Sequence, residues 1–250
     1  MDLDEAISEF QSHDRKALSR LLSFAAESEH IDEIRVLLDK KEHSGKTLGL
    51  TGAGGVGKSS LIGKLIELLR KKDQMVAVLA CDPESPLTGG ALLGDRIRMS
   101  RPADDKGLFI RSLATASGHQ AIADNLDVMI QLLFAYGFDK VILETVGAGQ
   151  GDIAIRKHAD VLLVLLQPEA GDDLQWEKAG MLEVADIIVI NKSDLPGADR
   201  VAAQLKNQLS FPGADDIPVV QTSASTGKGL DELWNTIQTA PFRKIVLKES

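Results

Sequence analysis

Gly52-Ala53-Gly54-Gly55-Val56-Gly57-Lys58-Ser59 fits the pattern G-x-x-x-x-G-K-[ST], a loop whose backbone amides can surround phosphate oxygens. Each residue type has a reason. Glycines let backbone N–H groups approach an anion with no Cβ in the way, and the start of a helix adds partial positive charge at the same point. The Lys58 ammonium suits the β- and γ-phosphates, the Ser59 hydroxyl suits Mg²⁺, and Ser60 continues the row of amides. The chemistry expected is binding of a nucleoside triphosphate with a divalent cation.

A second group of residues bears on the base. Asn191-Lys192-Ser193-Asp194 has the form N-K-x-D and follows the apolar run Ile187-Ile188-Val189-Ile190. A carboxylate can accept both N1–H and the exocyclic amine of guanine, whereas adenine offers a lone pair at N1 and no amine at that edge. Polar pairing of this kind rejects the wrong partner strongly. Asp194 is the expected base-reading carboxylate, with Asn191 and Lys192 bracing the loop and the lysine stem lying against the base. Ser223-Ala224-Ser225 comes after the last apolar run and resembles the S-A-x element whose backbone amide meets guanine O6. Glu144-Thr145-Val146-Gly147 has the form E-x-x-G. Its acid is expected to hold Mg²⁺ or its water, and the Gly147 amide to meet the γ-phosphate. Asp82, before Pro83, and Asp95 are the further acids expected in the Mg²⁺ shell. Lys58, Asp82 and Glu144 form the expected catalytic set, with Lys58 and Mg²⁺ neutralising charge while water attacks phosphorus. Gln150 stands three residues beyond Gly147 and is not assigned as the water-orienting group, and no arginine finger is readable.

These loops need elements to aim them. Strands are expected at Thr47–Thr51, Met75–Cys81, Leu108–Arg111, Lys140–Thr145, Val161–Leu166, Ile187–Asn191 and Pro218–Thr222. Most are unbroken Val/Ile/Leu runs, the pattern of strands covered on both faces of a parallel sheet. Helical spacing separates them, notably at Ile122–Tyr136 and Asp199–Leu209. The expectation is a three-layer α/β/α fold with a mostly parallel sheet and its ligand at the carboxyl ends of the strands. Before the first strand, Ala6, Ile7 and Phe10, then Leu18, Leu21, Leu22 and Ala25, then Ile31, Ile34, Leu37 and Leu38 form helical stripes with no strand pattern. The chain is therefore divided into a helical extension at 1–44, a nucleotide-binding domain at 45–240 and a short tail at 241–250.

Bulk properties narrow the partners. The chain has 250 residues, 44% hydrophobic and 26% charged, with a formal net charge of −9. That balance is globular and argues against a general nucleic-acid surface. Cys81 is the one cysteine, so no internal disulfide can form, and a reducing compartment is expected. The acidic start lacks a secretory leader's basic and apolar regions. The longest apolar run, Val161–Leu166, is far below the roughly 18 residues of a membrane span. The expected setting is the cytoplasm, away from membranes.

Taken in order, Gly52–Ser59, Asp82-Pro83, Thr88-Gly89-Gly90, Gly94-Asp95-Arg96, Phe109-Ile110-Arg111, Glu144-Thr145-Val146-Gly147-Ala148-Gly149-Gln150, Ala170-Gly171-Asp172-Asp173-Leu174-Gln175 and Asn191–Asp194 resemble the MeaB/ArgK GTPases of the SIMIBI class, as does Asp14-Arg15-Lys16-Ala17-Leu18. The resemblance runs from about residue 5 to about residue 240. It implies a GTP/GDP-binding, Mg²⁺-dependent chaperone of an adenosylcobalamin-dependent acyl-CoA mutase that gates cofactor loading and protects the mutase. It also implies switches at Asp82 to about Arg98, at Gly147 to about Ile155 and at Pro168 to about Lys178, the last facing the mutase. The chain departs from that pattern at Gly151-Asp152, at Gln120-Ala121-Ile122 and at Trp176-Glu177-Lys178-Ala179. A homodimer is left open, since the family's C-terminal helical arm is not matched beyond Pro241-Phe242-Arg243.

Three other readings stay open on sequence. A nickel-delivery GTPase shares the core, but His13, His30, His43, His119 and His158 are scattered without ligand spacing. A non-catalytic module could hold GTP without turning it over. An ATP-using transport kinase would need a different base contact from Asp194.

Overall fold

The computed structural model describes residues 2–39, 44–83, 105–115, 123–145, 154–168, 179–208 and 217–240. Helices α1 (Leu3–Gln11), α2 (Arg15–Ala26) and α3 (Ile31–Leu38) come first. They are followed by β1 (Lys46–Gly52), α4 (Lys58–Arg70), β2 (Val76–Pro83), β3 (Leu108–Thr115), α5 (Leu126–Tyr136) and β4 (Lys140–Glu144). A 3₁₀ turn at Ile155–His158 leads to β5 (Val161–Leu166), α6 (Ala179–Val184), β6 (Ile187–Ile190), α7 (Ala198–Gln208), β7 (Val219–Gln221) and α8 (Leu230–Thr239).

Among the described residues the seven strands form one sheet in the order β3-β2-β4-β1-β5-β6-β7, and every pair is parallel. All carboxyl ends therefore share one edge. β1 lies between β4 and β5, with Leu50 opposite both Glu144 and Leu163. The strand order reverses around β1, so a crevice opens at its carboxyl end, where ligands of such sheets sit.

The alternation of side chains along each strand sorts the core into layers. On β2, Ala77, Leu79 and Cys81 pack with α1, α2 and α5, while Val76 and Val78 pack with α4 and α8. β6 divides likewise, Ile187 and Val189 facing α4 and α8, Ile188 and Ile190 facing α6 and α7. Both faces are apolar because both are covered, and this explains the unbroken Val/Ile/Leu runs. Cys81 is buried in this packing. Every expected strand is present. β3 continues past the expected Arg111 to Thr115, since Leu113 faces the same buried layer as Phe109. α5 begins at Leu126 rather than Ile122, after Asn125 with φ +54°, and Ile122 itself lies outside the described residues.

The N-terminal helices pack against α5 and the β3 side of the sheet. Asp14 caps α2 by accepting from the Lys16 and Ala17 amides at 2.7 and 2.8 Å, a cap worth about 1 kcal/mol. Arg15 donates to the carbonyls of Lys106 at 3.3 Å and of Leu108, and its guanidinium stands 5.4 Å from the Phe109 ring centroid. Arg111 reaches back to the Ser19 carbonyl at 2.8 Å and the Ser23 hydroxyl at 3.0 Å. The segments Asp14–Leu18 and Phe109–Arg111, far apart in sequence, thus meet on edge strand β3, and Arg15 occupies carbonyls that another strand could otherwise pair with. Among the described residues no helix is long and apolar enough to cross a membrane.

Candidate functional site

β1 ends at Gly52, and α4 starts at Lys58 after Gly57. The loop between them has the strand–loop–helix setting that its sequence pattern requires. Gly52 has φ +146°, and a Cβ there would stand 2.4 Å from the Leu165 carbonyl oxygen. Gly57 has φ +94°, and a Cβ there would stand 2.4 Å from the Asn191 side-chain nitrogen. Any other residue at these two points would push β5 or the base-side loop away. Gly54, Gly55 and Ser60 are exposed, while Val56 and Lys58 are buried. The Lys58 ammonium is held at the mouth of the loop by the Gly52 and Ala53 carbonyls, at 2.7 and 3.2 Å.

At the second residue of α4, the Ser59 hydroxyl donates to Glu144 Oε1 at 2.7 Å. Glu144 is only 1% exposed, at the last position of β4. These two oxygens come from segments 85 residues apart and are joined because β1 and β4 are neighbours. Beside them, the Thr145 hydroxyl meets the Thr51 hydroxyl at 3.0 Å, a buried link between the two strand ends that carries no sequence signature. Asp82 is the penultimate residue of β2, at the same sheet edge. Asp95 and Gly147 lie outside the described residues, as do the expected switch residues 84–98 and 169–178 and most of 147–155.

The base-side loop is tied directly to the phosphate loop. Asn191, 1% exposed, donates to the Val56 carbonyl at 2.9 Å and the Gly57 carbonyl at 3.4 Å. It accepts from the Thr222 hydroxyl at 3.2 Å. The Thr222 amide donates to the Ile190 carbonyl at 2.8 Å, and the Ser193 amide to the Thr222 carbonyl at 2.9 Å. A continuous chain of hydrogen bonds thereby runs from the end of β7 through the end of β6 to the glycine loop. Lys192 has φ +57° and extends its ammonium to Gln167 Oε1 at 3.1 Å. Thr222 and Gln167 were not legible in the sequence: each is a single polar residue at a strand end, with no spacing to mark it.

Asp194 is exposed. A hydrogen bond from the Ser223 hydroxyl, then one from its own backbone amide, holds its carboxyl below the usual carboxylate range, with Ser225 and Lys192 adding to the effect. The Ser223 and Ser225 hydroxyls are 2.9 Å apart, and Ser223 Oγ also accepts from the Thr226 amide at 3.2 Å. The expected base-contacting residues of the two loops are therefore one cluster, with an ionised carboxylate at its open end. Ala224, between the two serines, is part of the same turn.

A glycine loop at the carboxyl end of the central strand, an acid on the neighbouring strand and an N-K-x-D loop braced on the phosphate loop define a P-loop GTPase. The chain belongs to the MeaB family: the family model, described as methylmalonyl Co-A mutase-associated GTPase MeaB, matches residues 18–248. Among its relatives, a Pyrococcus abyssi (strain GE5 / Orsay) protein described by name as a GTPase is 42% identical over 245 residues, covering 94% of this chain and 75% of that protein. A fused isobutyryl-CoA mutase of Nocardia farcinica is 43% identical over 225 residues, covering 85% of this chain and 21% of the mutase. The crystal structure of an LAO/AO transport system kinase superposes with a TM-score of 0.68 at 27% identity, covering 94% of this chain and 74% of that one.

Proposed function

We propose that this chain binds GTP and GDP through Gly52–Ser60 and the Asn191–Asp194 and Ser223–Ser225 loops, hydrolyses GTP, and uses that cycle to serve an adenosylcobalamin-dependent acyl-CoA mutase. The observation that carries the nucleotide assignment is the Asn191 side chain bonded to Val56 and Gly57. It sets the base-reading loop against the phosphate loop, with the Asp194 carboxylate three residues further along the same loop. The mutase assignment is supported by the Nocardia relative, in which a segment similar to most of this chain is part of a fused mutase.

In this reading the amides of Gly52–Ser60 grip the phosphates, and the α4 N-terminus adds its partial charge. Lys58 leaves the Gly52 and Ala53 carbonyls and turns its ammonium onto the phosphate oxygens, where it offsets the charge that develops as water attacks. Ser59 and Glu144 present hard oxygen donors 2.7 Å apart, the donor type Mg²⁺ takes. They would hold it together with Asp82 and Asp95. The bound ion supplies electrostatic stabilisation of the transferring phosphoryl group. Gly147 is assigned the γ-phosphate contact. Asp194 accepts the two guanine donors, and its depressed pKa keeps it ionised while it does so. Residues 1–44 act as a helical cap on the GTPase domain of 45–240, and the expected tail at 241–250 lies outside the described residues. The proposed setting is the cytoplasm, where a protein with one buried cysteine needs no oxidative folding.

The purified 250-residue chain, assayed with Mg²⁺ and either GTP or ATP, with and without an adenosylcobalamin-dependent mutase, tests this. Slow release of phosphate from GTP, faster with the mutase and lost in Lys58→Ala, is the expected result. Tighter binding of ADP than GDP overturns the base assignment. No hydrolysis under either condition leaves a non-catalytic GTP-binding module.

A further inference from the structure

We propose that Gln167 is a positioning residue for the nucleotide base: it anchors the Lys192 head so that the lysine stem is held as a fixed apolar platform over the phosphate loop. The inference rests on the assignment of Asn191–Asp194 as the base-reading loop.

Gln167 follows Leu166, the last residue of β5. β5 is paired with β1 on one side and β6 on the other, so Gln167 emerges between the glycine loop and the Asn191–Asp194 loop. Lysine is a donor only, so the amide must turn its oxygen to it, and Gln167 Oε1 accepts from Lys192 Nζ at 3.1 Å. This fixes the far end of the longest side chain in the loop. The near end is fixed by the left-handed backbone of Lys192 and by the Leu195 amide, which donates to the Lys192 carbonyl at 2.9 Å. Between these two anchors the stem passes over Gly57: Lys192 Cε stands 4.0 Å from the position a Gly57 Cβ would take.

A free lysine stem has several rotamers, and freezing them on binding costs conformational entropy. Holding the head before the base arrives removes part of that cost, the general benefit of preorganisation. The bond is partly buried, and one to a charged group in such a place outweighs a neutral one. A flat hydrocarbon surface reads no donor or acceptor, so the benefit is the same for any purine. Recognition of guanine stays with Asp194. Gln167 therefore tunes how long the nucleotide stays, and Asp194 which nucleotide it is.

The test is a double-mutant cycle on the whole 250-residue chain, read as GDP and IDP affinity and GDP release rate, with thermal melting as the check on folding. IDP lacks the exocyclic amine that Asp194 reads. Gln167→Leu is expected to weaken GDP and IDP by the same factor, about 10-fold, mainly through faster release. Gln167→Glu keeps an acceptor at the same reach and restores the affinity. Lys192→Met keeps the stem without its head, and adding Gln167→Leu to it should bring no further loss. If Gln167→Leu lies within twofold of the unaltered protein, or if its loss adds in full to that of Lys192→Met, the proposal is wrong. Should Gln167→Leu fail to fold, Gln167→Asn, one methylene too short to reach, makes the same measurement. Failure of the underlying base assignment is separately visible as preference of the unaltered protein for ADP over GDP.

Discussion

Replacing Gly57 with alanine should damage two loops at once, and the sizes of the two effects can be separated. Gly57 has φ +94°, and its new Cβ would stand 2.4 Å from Asn191 Nδ2. An L-residue in the left-handed region costs about 1–2 kcal/mol. The clash is then relieved by moving the buried Asn191 amide, which loses its bond of 2.9 Å to the Val56 carbonyl and its bond from Thr222. Disturbing buried partners of this kind costs about 1–3 kcal/mol. The expected total is about 2–5 kcal/mol, which for a chain of this size lowers Tm by about 4–20 °C. Urea denaturation gives the free energy, and GDP titration should show a parallel loss of affinity. Asn191→Ala supplies the internal control. With that amide removed, Gly57→Ala should cost only the backbone part, so the double variant is less damaged than the sum of the singles by about 1–3 kcal/mol. Gly54→Ala, with nothing within 4 Å of its Cβ, should change stability by less than about 0.5 kcal/mol. A Gly57→Ala protein as stable as its parent, or one equally damaged with and without Asn191, would refute the argument that this glycine exists to let the two loops touch.

Two further predictions follow from charged groups. Ser223→Ala removes the largest cause of the depressed Asp194 pKa. Because guanine needs the ionised form, GDP affinity in the variant should begin to fall at a higher pH as acid is added. The parent holds its affinity further into the acid range, and titrations between about pH 7 and pH 4 compare them. The stability carried by this group has the same sign, present above the unfolded carboxylate pKa and lost as pH falls through the folded one. Arg156 and Asp186 form an ion pair whose side chains are 4% and 1% exposed, and Asp186 also accepts from the Leu162 amide at 2.7 Å. Arg156→Met should cost about 3–5 kcal/mol by urea denaturation, and adding Asp186→Asn should recover part of that loss.

The glycine loop, the N-K-x-D loop and the seven strands are legible from residues 52–59, 191–194 and the Val/Ile/Leu runs, because each depends on neighbours along the chain. Backbone freedom at glycine, charge at a helix start and two-sided burial of a strand are local properties. They leave patterns a few residues long. The helical extension is legible for the same reason, through its stripes of leucine and alanine. What tertiary structure alone decided is which strand ends stand beside which. The order β3-β2-β4-β1-β5-β6-β7 places Ser59 on Glu144, Thr51 on Thr145, Thr222 on Asn191 and Gln167 on Lys192. It also places Arg15 and Arg111 on the seam between the helical extension and the sheet edge. A lone polar residue after a hydrophobic run reads the same whether it ends in solvent or against a partner 25 to 94 positions away. Only the crossover connections, set by how apolar faces pack across the whole sheet, determine which of those outcomes is realised.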